Sequence, residues 1–223
     1  MHRSPRERTA GIDWSLYLVT DRALARGRSL PDLVSAAIRG GVTVVQIREK
    51  GATTREFLEL TRALLRVTRA AGVPLLVNDR ADVALVAGAD GLHVGQDDLP
   101  GTDARRLLGP GAILGLSVEN LEQVRAAESL DVDYLGVSPI HSTPTKSDTR
   151  GAFGLAGLRE ARRLSRHPLV AIGGLHAGNA AETVAAGADG VAVVSAICAA
   201  DDCMDAARNL RAAIAAARAG APR

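Results

Sequence analysis

The sequence is poor in aromatic side chains and in cysteine. Phe, Trp and Tyr together make up 2% of its 223 residues, and Cys198 and Cys203 are its two cysteines. So few aromatic faces disfavour a surface that stacks nucleic-acid bases. The cysteine spacing fits neither a redox CxxC pair nor a zinc knuckle, so we expect reduced, structural thiols in a cytoplasmic protein.

Paired histidines, a charge excess and long apolar runs are lacking as well. The five histidines show no HExxH or other paired spacing, so any metal must be held by carboxylates. A net charge of +2, from 27 basic and 25 acidic residues, gives no field that would attract nucleic acid. No apolar run is long enough to cross a bilayer. We therefore expect neither a nucleic-acid partner nor a membrane partner.

The amino-terminal stretch is basic but is followed by no apolar segment of the kind found in secretory signals. We expect residues 1–13 to be a flexible tail and residues 14–223 to form one catalytic domain. A chain of this length that is 47% hydrophobic can bury one substantial core.

Eight short β-branched runs alternate with segments of helical spacing. The predicted strands are 16–20, 42–48, 74–78, 91–94, 112–116, 133–137, 169–172 and 190–194. Near-continuous apolar strands separated by helices require a parallel sheet that helices cover. Eight such units predict a single-domain (β/α)8 barrel of the TIM type. An open doubly wound sheet is the alternative, but no GxGxxG turn follows the first strand.

A short phrase occurs twice, as Gly88-Ala89-Asp90-Gly91 and as Gly187-Ala188-Asp189-Gly190. Each copy joins the end of a predicted helix to the start of a predicted strand. We interpret it as a repeated helix-to-strand connection in which the first glycine caps the helix.

Polar residues gather where the predicted strands end, which is where barrel enzymes build their active sites. Strand alternation places Gln46, Arg48 and Lys50 on one face of the second strand. Two cations at the mouth of a closed core are costly without an anionic partner, so this face predicts a phosphorylated or carboxylated ligand. The alternative is that both cations pair with Glu49 or another acid in a solvated loop.

Asp79 and Asp98 follow neighbouring strands, so their carboxylates are expected to converge on one cation. Mg²⁺ takes one or two protein carboxylates and completes its shell with water and substrate phosphates. The alternative is that each aspartate caps a helix, Asp79 in particular.

The last two strands end in Gly173-Gly174 and in Ser195, where this fold commonly binds phosphate. The alternative is a simple tight turn at the two glycines. A capping box of Asn179 and Glu182 predicts that the next helix begins near Asn179. Together with the basic and carboxylate positions, this corner gives two anion sites, which suit a transfer reaction in which diphosphate leaves.

The chain resembles the thiamine phosphate synthase family, also called thiamine-phosphate pyrophosphorylase. The matching phrases follow the family order over residues 16–198. They are YLVTD (17–21), QIREK (46–50), VNDR (77–80), HVGQDDL (93–99), LGLS (114–117), GVSPI (136–140), TPTK (143–146) and AIGG (171–174). No single phrase is decisive, and their joint occurrence is specific.

The resemblance implies an enzyme that joins 4-amino-5-hydroxymethyl-2-methylpyrimidine diphosphate to a thiazole phosphate and releases pyrophosphate. It further implies contacts to the pyrimidine diphosphate from Gln46, Ile47, Arg48, Glu49, Lys50, Asn78, Ser117 and Lys146. It implies Mg²⁺ on Asp79 and Asp98, and the thiazole phosphate on Thr143, Pro144, Thr145, Gly174, Val194 and Ser195. Arg48, Lys50, Ser117 and Lys146 are the expected catalytic residues.

The implied mechanism is a departure of diphosphate that leaves a pyrimidinylmethyl cation for the thiazole nitrogen to trap. Two alternatives stay open: a thiazole tautomerase on the same barrel, and a barrel that binds phosphometabolites and regulates a partner. The presence of the family's residues at the metal and lysine positions favours the synthase over both. The partners we expect are small-molecule substrates, and a homodimer is compatible with the sequence.

Overall fold

A closed barrel of eight parallel strands forms the centre of the molecule. The computed structural model describes residues 5–141 and 153–220. The strands are β1 (Leu16–Val19), β2 (Val44–Ile47), β3 (Leu75–Asn78), β4 (Gly91–Val94), β5 (Ile113–Val118), β6 (Tyr134–Val137), β7 (Leu169–Ile172) and β8 (Gly190–Val193). They pair in chain order, and β8 closes on β1 with Leu16 opposite Val191. The predicted (β/α)8 barrel is confirmed.

Helices alternate with the strands and cover the outside of the barrel. They are α1 (Pro5–Thr9), α2 (Leu30–Arg39), α3 (Thr54–Ala70), α4 (Ala81–Ala87), α5 (Gly101–Leu108), α6 (Leu121–Ala127), α7 (Gly154–Leu164), α8 (Ala177–Ala185), α9 (Ser195–Cys198) and α10 (Cys203–Gly220). Within the described ranges, no helix combines the length and the apolar composition that a membrane span requires.

Two separate cores follow from strand alternation. Val45 and Ile47 of β2 point outward and pack in the larger core between strands and helices. Val44 points inward, into a smaller core inside the barrel that also holds Tyr17 and Tyr134. Alternate residues of one strand thus serve different cores, as the period of two requires.

The amino end of the barrel is tied together by side chains that precede the even-numbered strands. Asp90 accepts the N–H of Leu75 at 2.8 Å, and Asp189 accepts the N–H of Leu169 at 2.7 Å. Asp133 accepts the N–H of Leu114 at 2.8 Å. The hydroxyl of Thr43 does the same for Leu16 at 3.1 Å. Each of these four pairs also has a backbone bond in the other direction. The N–H of the Asp or Thr residue donates to the carbonyl of the partner Leu at 2.7–3.0 Å.

The repeated phrase therefore has a second role besides the glycine cap. Gly88 caps α4 in a left-handed conformation, with φ of 68°, as expected. Helix α8 instead ends at Ala186, and Gly187 follows with φ of 110°. The last glycine of each copy is needed for close packing, because a Cβ on Gly190 would lie 1.8 Å from the carbonyl oxygen of Trp14.

Part of the predicted amino-terminal tail lies against this amino end. Residues Pro5–Thr9 form helix α1, and the Arg8 side chain is fully buried. Its Nε donates to Asp133 Oδ1 at 2.7 Å and its Nη2 to Asp131 Oδ1 at 2.5 Å. Arg105 reaches the other oxygen of Asp133 at 2.6 Å. The flexibility of residues 1–13 stays a prediction, and Arg8, Ile12 and Asp13 are among the residues through which this stretch contacts the rest of the domain.

Candidate functional site

A cavity of about 430 Å³ opens at the carboxyl ends of the strands. It is lined by seven of the residues that the sequence predicts as site residues: Gln46, Arg48, Asn78, Ser117, Gly174, Val194 and Ser195. The structure thus brings the basic end of β2 and the glycine corner after β7 into one cavity. The predicted Thr143, Pro144, Thr145 and Lys146 lie outside the described residues.

The end of β2 delivers two of the predicted side chains into the cavity. Gln46 is buried, with 5% of its surface exposed, and its Nε2 donates to the hydroxyl of Tyr17 at 2.8 Å. The strand ends at Ile47, one residue earlier than predicted. Arg48 is half-buried beyond that end, where its backbone N–H donates to Thr20 Oγ1 at 3.2 Å. Lys50 is exposed and does not line the cavity.

Ile47 and Glu49 face away from the other predicted contacts. Ile47 packs in the outer core, as alternation requires. The Glu49 side chain is 4% exposed and pairs with Arg22 at 3.2 Å. The alternative expected from the sequence paired it with Arg48 and Lys50. Burial raises the pKa of the Glu49 carboxyl, and Arg22 opposes that rise. Substrate contact by either residue stays a prediction.

Asp79 and Asp98 come together, as their positions after β3 and β4 predict. Burial raises the pKa of Asp79 to about 6, and a hydrogen bond and repulsion from Asp98 add to that rise. Arg48 and Lys50 oppose it, so both cations lie within electrostatic reach of this carboxylate. Asp98 Oδ2 also accepts the N–H of Gly95 at 2.8 Å.

The helix-cap alternative for Asp79 is not what the structure shows. The residue before helix α4 is Arg80, and no side chain caps that helix. Asp79 itself has a left-handed backbone, with φ of 61°. Aspartate and asparagine tolerate this region better than most residues, and such backbones are concentrated at functional sites.

The two aspartates fit a magnesium ion better than a transition metal. Among the residues that the structure describes, no group of three or more His, Cys, Asp and Glu side chains comes together. Arg48 and Lys50 offset the repulsion between the two carboxylates only in part. Mg²⁺ accepts such a pair because water and substrate phosphates supply the rest of its octahedral shell.

The glycine corner is shaped by backbone that a side chain would obstruct. Gly173 and Gly174 have φ of 108° and 66°. A Cβ on Gly173 would lie 2.8 Å from Cβ of Pro139. Helix α8 begins at Ala177, and its cap is His176 with Asn179 in a capping box, so the predicted cap at Asn179 is wrong by three residues. Asn179 Nδ2 donates to the carbonyl of Gly174 at 3.0 Å and fixes the corner.

A chain of hydrogen bonds crosses the cavity floor and was not predicted from the sequence. Gln46 contacts Tyr17, whose hydroxyl lies 2.8 Å from the hydroxyl of Tyr134. The Tyr134 hydroxyl lies 2.7 Å from His93 Nδ1, and His93 Nε2 lies 2.8 Å from Ser117 Oγ. Trp14 packs on the Tyr134 ring with centroids 4.6 Å apart.

Of the residues in this chain that were not predicted as site residues, two lie in the matching phrases of the sequence. Tyr17 begins the first phrase and His93 begins the fourth, at inward-facing positions of β1 and β4. Inward position was therefore a usable signal. Which side chains hydrogen-bond across the barrel could not be predicted, because these bonds join strands that are distant in sequence.

Comparison with known proteins agrees with this geometry. The model of the thiamine monophosphate synthase family matches residues 16–197. A thiamine-phosphate synthase of Albidiferax ferrireducens is 58% identical over 196 residues, which cover 88% of this chain and 90% of that protein. Another, of Chloroflexus aurantiacus, is 55% identical over 203 residues, which cover 91% and 94%.

Solved structures show the same relationship. A thiamine phosphate pyrophosphorylase from Pyrococcus furiosus has a TM-score of 0.86 at 38% identity, covering 92% of this chain and 98% of that one. A 3-hexulose-6-phosphate synthase, with a TM-score of 0.66 at 20% identity, shares the fold alone. The comparisons confirm the predicted synthase activity and support neither the tautomerase nor the regulator. The chain belongs to the thiamine monophosphate synthase family.

Proposed function

We propose that this cavity joins 4-amino-5-hydroxymethyl-2-methylpyrimidine diphosphate to a thiazole phosphate, with release of pyrophosphate. The observation that carries the proposal is the single cavity that contains both Arg48, near the Asp79 and Asp98 carboxylates, and the Gly174 and Ser195 corner. One end suits a diphosphate and the other suits a monophosphate. Two anionic substrates would therefore meet over the buried floor between them.

The diphosphate is assigned to the end formed by β2, β3 and β4. Arg48 and Lys50 supply positive charge, and Asn78 supplies an amide at the cavity wall. Asp79 and Asp98 would hold Mg²⁺, which when bound supplies Lewis-acid stabilisation of the diphosphate oxygens. Ile47, Glu49 and Lys146 complete the proposed contacts to this substrate, Lys146 as a third cation.

The thiazole phosphate is assigned to the opposite wall. Exposed backbone at Gly174 allows a close approach of an anion to peptide N–H groups. Ser195 opens the short helix α9 directly after Val194, and both residues line the cavity. Thr143, Pro144 and Thr145 belong to the same proposed subsite.

The side chains act on this reaction by charge and orientation. Arg48, Lys50 and Lys146 would stabilise negative charge as it grows on the departing diphosphate oxygen, because cations that are in place before the reaction need little reorganisation. The two walls would hold the thiazole nitrogen opposite the carbon that loses diphosphate. Ser117 would bind the pyrimidine diphosphate from the floor.

A coupled assay tests the reaction. Purified protein with both substrates and Mg²⁺ is expected to release pyrophosphate and to form thiamine phosphate. Lack of product from protein that is folded by circular dichroism would overturn the proposal. Lys146→Ala is expected to lower kcat strongly and to leave the melting temperature nearly unchanged. Full activity of that variant would show that Lys146 does not belong to the site.

Two further variants test the assignment of the two ends. Arg48→Gln should raise the KM for the pyrimidine diphosphate at least tenfold and leave the KM for the thiazole phosphate within twofold, since one charge-assisted contact is lost. Ser195→Ala should show the reverse pattern with a smaller effect. Arg39→Gln, on the exposed face of α2, is the matched control. If Arg48→Gln changed both KM values equally, the two-end assignment would be wrong.

A further inference from the structure

The cavity floor contains one continuous hydrogen-bond chain with two tyrosines at its centre. Tyr17 and Tyr134 are each 1% exposed. Burial raises the pKa of both phenols, so both hydroxyls keep their protons. Gln46 lies at one end of the chain and Ser117 at the other, and both also line the cavity.

The amide at one end sets the direction of every bond that follows. Gln46 Nε2 can only donate, so the Tyr17 oxygen accepts from it. The Tyr17 hydrogen then points to the Tyr134 oxygen, which is its other partner among the described residues. If Tyr134 donated instead, the Tyr17 hydroxyl hydrogen would lack an acceptor among those residues, which is costly in a buried group.

The same reasoning continues to the far end. Because Tyr134 accepts from Tyr17, its own hydrogen points to His93 Nδ1. His93 then carries its proton on Nε2 and donates it to Ser117 Oγ. The Ser117 hydroxyl hydrogen is consequently directed away from the chain and toward the cavity. At the other end, Gln46 retains a carbonyl oxygen and one N–H for a ligand.

The backbone of β5 and β6 is adapted to this chain. A Cβ on Gly115 would lie 2.2 Å from Tyr134 Cζ and 2.4 Å from its hydroxyl. A Cβ on Gly136 would lie 3.0 Å from His93 Cε1. Glycine at these two positions thus leaves room for the Tyr134 and His93 side chains. This fit indicates that the backbone is adapted to the hydrogen-bond chain.

We propose that Tyr17, Tyr134 and His93 are positioning residues that fix a different hydrogen-bonding character at each end of the floor. Gln46 presents a paired acceptor and donor, which match an amino group beside a ring nitrogen. Ser117 presents a donor, which matches an acceptor atom of the same ligand. The inference rests on the proposed function in one respect, that the ligand over this floor is the aminopyrimidine.

Double-mutant cycles test which end each tyrosine serves. Tyr134→Phe frees His93 to carry its proton on Nδ1, so Ser117 would donate to His93 and be lost to the ligand. We expect kcat to fall about tenfold in Tyr134→Phe and to fall no further when Tyr134→Phe is added to Ser117→Ala. Tyr17→Phe serves as the matched control, because the Tyr134 hydrogen keeps His93 Nδ1 as its acceptor in that variant and the Ser117 end is unchanged. It should raise the KM for the pyrimidine diphosphate, and its effect should multiply with that of Ser117→Ala.

The His93 tautomer is a readout that does not depend on turnover. In ¹⁵N-histidine-labelled protein without ligands, His93 is expected to be protonated on Nε2 alone, and Tyr134→Phe should shift that proton toward Nδ1. The resonances are assigned by their loss in His93→Gln. A proton on Nδ1 in the wild-type protein would overturn the proposed direction, as would multiplicative effects of Tyr134→Phe and Ser117→Ala.

The two proposals fail in different ways. If the wild-type protein formed no thiamine phosphate, the proposed function would be wrong while the tautomer measurement would still decide the direction of the chain. If the protein were active but the cycles showed no coupling, the synthase assignment would stand and the positioning role would be wrong.

Discussion

The two ends of the barrel use aspartate in opposite ways. At the amino end, Asp133 accepts a peptide N–H and pairs with Arg8 and Arg105 at 2.7 and 2.6 Å. At the carboxyl end, Asp79 faces Asp98, a group of the same charge. The first aspartate is fully compensated within the chain. The second is compensated only in part, by Arg48 and Lys50.

This difference separates stability from chemistry along the barrel axis. A carboxylate that is surrounded by its own donors and cations holds strands in register and has nothing left for a ligand. A carboxylate pair that lacks such partners is unfavourable until a cation arrives. The same substitution at the two ends should therefore change stability in opposite directions.

Asp133→Asn should produce the largest effect on stability. The Asp133 and Arg8 side chains are fully buried, so loss of this carboxylate removes the buried partner of Arg8 and Arg105. The part-exposed Asp131 is then the carboxylate that still faces both arginines. We expect a loss of about 3–5 kcal/mol in the free energy of unfolding, measured by urea denaturation with circular dichroism. Asp205→Asn, which removes an exposed pair with Arg208, is the control and should cost less than about 0.5 kcal/mol. Equal losses of unfolding free energy in the two variants would show that the buried cluster at the amino end contributes no more to stability than an exposed ion pair.

Asp79→Asn should have a smaller effect of the opposite sign. It removes the repulsion from Asp98 and retains a residue type that tolerates φ of 61°. A pKa near 6 against an ordinary 3.8 corresponds to about 3 kcal/mol, which solvent screening of this half-buried group reduces to about 1–2 kcal/mol. At pH 7.5 the ligand-free variant should be more stable than the wild type by that amount, and its Mg²⁺ requirement in the assay should rise.

The pH dependence of this difference follows from the raised pKa. Between about pH 4 and pH 6 the folded protein binds more protons at Asp79 than the unfolded chain does, so its stability falls as pH rises. Above about pH 6 Asp79 is ionised in the folded protein, and the loss of stability that its charge causes is complete. The stabilisation by Asp79→Asn should therefore be present at pH 7.5 and vanish at about pH 4. A difference that persisted unchanged at the lower pH would contradict the charge explanation.

Thr43→Val should produce the smallest effect. The Thr43 hydroxyl accepts the N–H of Leu16 at 3.1 Å and donates to its carbonyl at 3.0 Å. Valine has the same shape and lacks both bonds, so we expect a loss of about 1 kcal/mol. Catalytic constants should stay unchanged, because this position lies at the amino end. An effect on kcat without an effect on stability would contradict the claim that the amino end serves stability and the carboxyl end serves chemistry.

Sequence pattern was sufficient for the barrel because each strand is short and apolar and is bounded by polar residues. Two of the eight predicted strands, Gly91–Val94 and Leu169–Ile172, have the observed bounds, and the others differ by one or two residues at one or both ends. The aspartates of the repeated phrase were noticed, but their bonds to a preceding strand were not predicted. Such bonds join residues 15 or 20 positions apart, and only the closed register defines them.

The site could be predicted where function depends on residue type at a strand end. Gln46, Arg48 and Ser117 line the cavity, and Asp79 meets Asp98, as their positions after successive strands require. The floor could not be predicted in this way. Tyr134 reaches both Tyr17 and His93 across the barrel interior, and it does so because Gly115 leaves the space.

Trp14 gives the cavity floor an optical reporter. It is the only tryptophan in the sequence, it is 7% exposed, and it packs on Tyr134 at 4.6 Å. Its emission therefore comes from one environment, next to the central hydroxyl of the floor. Tyr134 lines the cavity and lies between it and the indole, so a ligand that shifts the Tyr134 ring is expected to change this emission. Substrate binding should then be measurable by intrinsic fluorescence on unlabelled protein.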